Sequence, residues 1–304
     1  MTRKVIRRGW GNFCNMEWFV LALLSAACIG IADIYLKKAL FRQHSLEFLL
    51  SITFIVLLML LPFIPQMNFD WSISLYFLML IKVVCVSIAW LLFVKAARHM
   101  ELSQVAPMRT LTTLYVFILA FVFLGERWTP SNFGGAVLLI AGTTLLETDK
   151  DIFHIIKRFK ILPKRYLAYI FTALLFTAFS ILLDKIILKQ ADVLTFFFVD
   201  YALVFSSYFL ISSFLYGGYQ DLLSTLKKSW KYIIGFSIAT LVGDYLYFTT
   251  VANPEVLISL VTPILSLGSL FSVIMGGRLF HEHNLGVRTI SCCVMIFGVV
   301  LLLW

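Results

Sequence analysis

Six ionisable side chains lie within long apolar runs or close to their inner parts: Asp33, Lys82, Arg109, Asp184, Asp200 and Asp244. A charge in a membrane-spanning helix costs about 2.5–3.5 kcal/mol on insertion scales, so each needs a partner, a wet cavity or a task. Arg109 follows Pro107 by two residues. Proline removes a backbone hydrogen bond and can open the helix there, and a guanidinium beside that opening suits a carboxylate or phosphate. The rival reading is an ion pair with one of the four aspartates. Lys82 is flanked by Ile81, Val83 and Val84 and sits too deep in its run to snorkel. It is either paired or lining a wet cavity. Asp244 opens the run Asp244-Tyr245-Leu246-Tyr247-Phe248. An acid among aromatics suits a cationic amine, and it equally suits a proton carrier or a salt bridge to Lys82 or Arg109. Asp200 has no partner that the sequence assigns. Arg109, Lys82, Asp244, Tyr245 and Asp200 are therefore the candidates for binding a small polar molecule.

The chemistry is not catalytic. The chain has no GxSxG, Walker loop or HExxH pattern, its histidines fall in or next to the expected loops, and its five cysteines form no CxxC. No enzyme activity, cofactor or metal is expected. Without a nucleotide-binding domain, any transport runs on a substrate or ion gradient, or by exchange.

The elements that must hold these charges are membrane helices. Of 304 residues, 61% are hydrophobic and 13% charged, against roughly 45–50% and 25% in soluble domains. A disordered chain, a collagen and an ordinary soluble enzyme are excluded. The net charge of +9 is spread in clusters between apolar runs, which fits the positive bias of membrane loops rather than nucleic-acid binding. A bilayer core needs about 20 apolar residues per helix. The hydropathy predicts ten spans: 17–38, 46–64, 72–95, 101–124, 132–147, 166–188, 193–216, 231–252, 255–276 and 286–304. A basic arm, 1–16, precedes them. It is not read as part of a signal peptide, because no small-residue cleavage site follows the first span. The polar linker 148–165 divides the spans five and five. Ile152, Ile155, Ile156 and Phe159 within it have the spacing of a surface-lying amphipathic helix, with a plain linker as the alternative.

The two halves, 17–147 and 166–304, are related. Shifting the chain by 156 residues places Pro107 on Pro263, Glu126 on Glu282 and Gly142 on Gly298, with Ala96, Ser103, Val105 and Leu114 on Ala252, Ser259, Val261 and Leu270. A shift of 151 places Asp33 on Asp184. These two are symmetry mates and so candidates for coupling or gating, with Lys37, Lys38, Lys185 and Lys189 near enough to pair with them. Pro107 and Pro263 are expected to kink their helices. Five spans between copies is an odd number, so the copies have opposite orientation. This is the inverted repeat of many secondary transporters, whose sites lie near the midplane. Glu126 and Glu282 are expected as caps or ion pairs at the membrane edge. Gly134, Gly135, Gly142 and Gly298 permit close helix packing, including packing between protomers of a homodimer.

Segments 96–146 and 252–303 share a small residue, a proline, a long apolar helix, a glutamate and a glycine in the last helix, with Gly125-Glu126 in the first copy and His281-Glu282 in the second. In these features the chain resembles the EamA-like, ten-helix branch of the drug/metabolite transporter superfamily. The resemblance implies an all-α membrane protein of ten spans in a 5+5 inverted repeat. It also implies secondary transport by alternating access in a plasma (inner) membrane, and it leaves the substrate open. The mixture of Arg109 and Lys82 with Asp200 and Asp244 favours a small polar or zwitterionic metabolite such as an amino acid. The alternatives are a proton-coupled exporter of cationic amines or drugs, and a flippase for a lipid-linked substrate. The partners expected are the small molecule, the bilayer and a coupling proton or ion; nucleic acid is not among them. Ten spans put both termini on one side. Positive charge is sparser on that side, which places the termini outside, whereas the resemblance places them inside.

Overall fold

A computed structural model describes residues 16–40, 44–99, 102–147, 164–215, 217–268, 271 and 285–303. The basic arm, most of the 148–165 linker, His281 and Glu282 lie outside the described residues. The described residues contain no strand and form ten α-helices: α1 Met16–Leu40, α2 Ser45–Leu60, α3 Ile73–His99, α4 Leu102–Leu119, α5 Pro130–Glu147, α6 Lys164–Ile187, α7 Val193–Leu215, α8 Tyr219–Ala252, α9 Ile258–Leu265 and α10 Leu285–Leu303. Six segments are long and apolar enough to cross a membrane: Glu17–Leu36, Ser45–Gln66, Ile73–Ala96, Arg165–Ile187, Val193–Phe214 and Leu222–Ala252. The outer face of the bundle is apolar. Phe77 and Phe214 in these segments, and Val122, Phe123, Ile296 and Phe297 outside them, are each at least 60% exposed, a distribution that fits contact with lipid.

Local chemistry sets the helix ends. Pro62 and Pro65 turn the end of α2 into a 3-10 helix, Leu61–Gln66. The end of α4 widens into a π turn, Ala120–Leu124, closed by Gly125 at φ 65°, a left-handed conformation that favours glycine. Pro130 begins α5, where a missing N–H costs nothing, and Thr129 and Asn132 cap it reciprocally. The Thr129 N–H donates to Asn132 Oδ1 (3.1 Å) and the Asn132 N–H to Thr129 Oγ1 (3.2 Å). Asp192 caps α7 by accepting from the Thr195 N–H at 2.8 Å.

One helix starts earlier than hydropathy predicts. The segment 219–230 is expected as a connection, yet α8 begins at Tyr219 and bends at Ser229, whose φ of −140° leaves the helical region. Leu222, Thr225 and Ser229 are buried while Lys227 and Lys228 face outward, so a helical stripe holds the segment on the bundle despite its polarity.

The helices pack in a definite pattern. The most extensive contacts are α5 with α10, α1 with α8, and α3 with α6, followed by α2 with α8, α4 with α6 and α2 with α7. Glycines make the closest approaches. A Cβ on Gly298 would lie 2.9 Å from the Gly135 carbonyl, and one on Gly142 would lie 2.5 Å from the Met295 side chain. These glycines are therefore used within the chain, between α5 and α10. Phe196, Phe197, Tyr247, Phe248, Ile258, Val261 and Ile264 belong to an apolar core drawn from α7, α8 and α9.

Candidate functional site

Four helices bring the charges together. Lys82 stands nine residues into α3 and Asp200 seven into α7, while Asp244 is eight residues before the end of α8. At 1.5 Å per residue these depths are about 14, 10 and 12 Å from the same end of the bundle. Asp184 lies closer to that end, near the end of α6. The Lys82 ammonium pairs with the Asp200 carboxylate and lies 3.4 Å from Asp184 Oδ1. Side-chain exposures of 2% for Lys82, 5% for Asp184 and 7% for Asp200 put the cluster out of reach of bulk solvent. The same ammonium sits 5.1 Å from the ring centre of Phe196 and 5.6 Å from that of Phe248, within cation–π range.

Two tyrosines extend the cluster. The Tyr201 hydroxyl donates to Asp244 Oδ2 at 2.7 Å, and the Tyr247 hydroxyl donates to Asp184 Oδ2 at 3.3 Å. Both tyrosines are buried. One ammonium thus faces two carboxylates, with a third nearby. Burying an ion is expensive unless it is paired and hydrogen-bonded. Here Asp184 Oδ1 and Asp200 Oδ1 are buried with no hydrogen-bond partner among the described residues.

Of the residues expected from sequence, Lys82, Asp184, Asp200 and Asp244 meet at this place. Asp33 is half-buried on α1, outside the Lys82 ion pairs. Tyr245 is 46% exposed and points away. Pro263 is buried in α9. Pro107 and Arg109 lie on α4, and their side chains fall outside the described residues. Tyr201 and Tyr247 were not expected, although each follows a site aspartate closely in sequence. No group of three metal-ligating side chains occurs among the described residues.

Two further charges hold the turn between α8 and α9, at the end of the bundle nearest the cluster. Glu126 is buried and caps α9. Its Oε1 accepts from the Ile258 N–H at 2.8 Å, and its Oε2 accepts from the Ser259 N–H at 3.2 Å and from the Ser259 hydroxyl. The Trp128 indole N–H donates to the same Ser259 hydroxyl at 2.9 Å. Lys185 does not pair with its neighbour Asp184. It donates instead to the carbonyls of Val251 (2.9 Å) and Asn253 (2.6 Å), where α8 ends. A carboxylate at a helix start and an ammonium at a helix end both complement the backbone dipoles. Together they clamp the turn between α8 and α9. Beside it, the Asn68 N–H donates to Thr195 Oγ1 at 2.9 Å, and Phe69 packs against Phe198.

Charges buried inside membrane helices mark functional sites, among them substrate and ion pathways. The sequence comparison agrees: residues 16–148 match the model of the EamA-like transporter family. A relative from Sinorhizobium sp., named as an uncharacterised transporter in the cobO 3' region, is 25% identical over 138 residues, which make up 43% of this chain and 97% of the relative. A crystal structure superposes with a TM-score of 0.70 at 11% identity, over 93% of this chain and 96% of its own. That likeness extends the shared fold beyond the EamA-like segment to nearly the whole chain. The six apolar segments make the protein a multi-pass membrane protein, and its residues 16–148 are similar to the EamA-like transporters.

Proposed function

We propose that the protein is a secondary transporter that works by alternating access and carries a small polar or zwitterionic metabolite, such as an amino acid, across the plasma membrane. The observation that carries this reading is the cluster of buried Lys82, Asp184 and Asp200 with half-buried Asp244 beside them. The cluster crosses between the chain's halves: α3 supplies the ammonium, and α6, α7 and α8 supply the carboxylates. A scaffold has no use for such a costly arrangement at its centre.

The packing supports the 5+5 inverted repeat on which this mechanism depends. Pairing α1 with α6, α2 with α7, α3 with α8, α4 with α9 and α5 with α10 turns the α1–α8 contact into α6–α3. It also turns α2–α8 into α7–α3, and α4–α6 into α9–α1, and every one of these contacts is present. The α2–α7, α5–α10 and α4–α9 contacts map onto themselves, as helices along a two-fold axis must.

A second reading is favoured by the charge count. One ammonium faces two carboxylates with a third nearby, and that excess of negative charge suits a cargo with a cationic amine, exchanged for a proton. Counterflow in proteoliposomes, with a panel of labelled amino acids, organic acids and amines, tests both readings. The expected result is saturable exchange of at least one polar solute by the wild type, reduced at least tenfold in Asp244→Asn. Exchange no faster than in empty liposomes across the panel refutes transport. Exchange of amines alone moves the assignment to the second reading.

A further inference from the structure

Among the described residues, the charged and aromatic partners of the Lys82 ammonium all come from the second half of the chain. Asp184 comes from α6, Phe196 and Asp200 from α7, and Tyr247 and Phe248 from α8. Two carboxylates and two aromatic faces around one point are the groups that recognise a primary ammonium, by charge-assisted hydrogen bonds and cation–π attraction. The occupant has the matching form, since a lysine side chain is a four-carbon stem ending in an ammonium. One of the carboxylates also keeps capacity in reserve. Asp184 Oδ1 faces the Lys82 ammonium at 3.4 Å, but Asp200 Oδ1 is buried with no hydrogen-bond partner among the described residues. A pair selected only to hold helices together is expected to use those lone pairs, because unspent ones add desolvation cost without return.

We infer that this receptor binds a primary ammonium group of the cargo, and that Lys82 is a tethered competitor that fills it while cargo is absent. The inference rests on the transport reading and names its substrate class. Displacement has a mechanical consequence. Among the described residues Lys82 is the only member on α3, so an incoming ammonium that takes its place also unties α3 from α6 and α7. Cargo binding and release of the ion pairs between the halves are then one event. A competitor on the same chain also speeds release, because Lys82 returns to the carboxylates as the cargo leaves.

The test uses n-butylammonium, which copies the lysine side chain, and tetramethylammonium, which carries the charge but donates no hydrogen bond. Melting of the purified full chain in detergent is followed against each at constant ionic strength, since a ligand of the folded state raises the midpoint. The wild type is expected to respond saturably to n-butylammonium and not to tetramethylammonium. Lys82→Ala is expected to reach half-saturation at a concentration at least tenfold lower, because the competitor is gone. Asp200→Asn is expected to need at least tenfold more. Rescue of Lys82→Ala by n-butylammonium with no response from the wild type overturns the inference, since the lysine is then a fixed strut. If Lys82→Ala does not fold, the wild type and Asp200→Asn decide, and equal responses or none overturn it. Failure of the transport reading is separately visible. Protein that binds n-butylammonium but exchanges no solute in proteoliposomes keeps the site and loses the transport function. Protein that exchanges solutes lacking an ammonium and ignores n-butylammonium keeps transport and loses the site.

Discussion

Replacing Glu126 tests whether the α8–α9 turn is a clamped end of the bundle. The carboxylate satisfies two backbone N–H groups at the start of α9, where a helix has no internal acceptors, and also receives the Ser259 hydroxyl. Hydrogen bonds to a charged group contribute about 1.5–3 kcal/mol each, and losing one partner leaves the other buried and unmatched. Glu126→Gln keeps one acceptor oxygen and places an NH2 against donors, so about 2–3 kcal/mol of local stability is lost. Glu126→Ala removes every acceptor and should cost about 3–5 kcal/mol, the range for breaking a buried charged pair. At about 1.4 kcal/mol per tenfold, a loss of about 3 kcal/mol speeds amide exchange at Ile258 and Ser259 about a hundredfold. Hydrogen exchange read by mass spectrometry over residues 253–262 measures this, with residues 196–205 of α7 as the internal control. Exchange at 253–262 within about threefold of wild type in Glu126→Ala, or equal acceleration in both segments, refutes the clamp.

The other end of the same turn gives a second outcome. Lys185→Met keeps the stem but removes the donors to the Val251 and Asn253 carbonyls, and should speed exchange over 250–257 tenfold or more while leaving α1 unchanged. Gly298→Leu places a side chain where a Cβ alone lies 2.9 Å from the Gly135 backbone oxygen. Overpacking of this kind costs about 1–3 kcal/mol, and the melting midpoint in detergent should fall clearly. Gly134→Ala, with nothing within 4 Å of its Cβ position, should melt as the wild type does, and equal midpoints for the two variants would sink the proposed close approach of α5 and α10. Phe214, 85% exposed, is assigned to lipid. A nitroxide attached at Phe214→Cys should be quenched by oxygen in the bilayer more than by a water-soluble nickel complex, and the reverse order would refute the assignment.

The membrane helices were legible because the signal is additive: some twenty apolar residues in a row outvote any single exception. Where the sum fails, the reading fails. The start of α8 carries Lys227, Lys228 and Asp221, and its average looks like a loop, yet Leu222, Thr225 and Ser229 put a buried stripe on one side. Period and mean hydropathy are separate quantities, and a short polar helix held by tertiary contact shows only in the first. The α2 end is a similar case. The run through Leu61 and Phe63 is apolar enough to continue the span, but Pro62 and Pro65 change the kind of helix.

The site was legible as a list of expensive charges and illegible as a set of pairs. Cost is a property of one residue in its run, so Lys82, Asp184, Asp200 and Asp244 stood out singly. Pairing depends on which helices adjoin, and Lys185 shows how far sequence proximity misleads: it adjoins Asp184 in the chain yet serves the end of α8, while Asp184 faces Lys82 of α3. Helix geometry supplies the rule that separates the tyrosines. Consecutive residues are about 100° apart around a helix, and residues three apart nearly share a face. Tyr245, next to Asp244, therefore turns outward, whereas Tyr247, three residues on, stays with the buried face and reaches Asp184. A shift of 151 residues sets Asp33 against Asp184 in sequence, but of the two only Asp184 belongs to the Lys82 pairs. On the proposed repeat the two aspartates hold equivalent positions and only one of them pairs with Lys82, so variants that exchange Asp184 and Asp33 for asparagine should have unequal effects on the proposed transport.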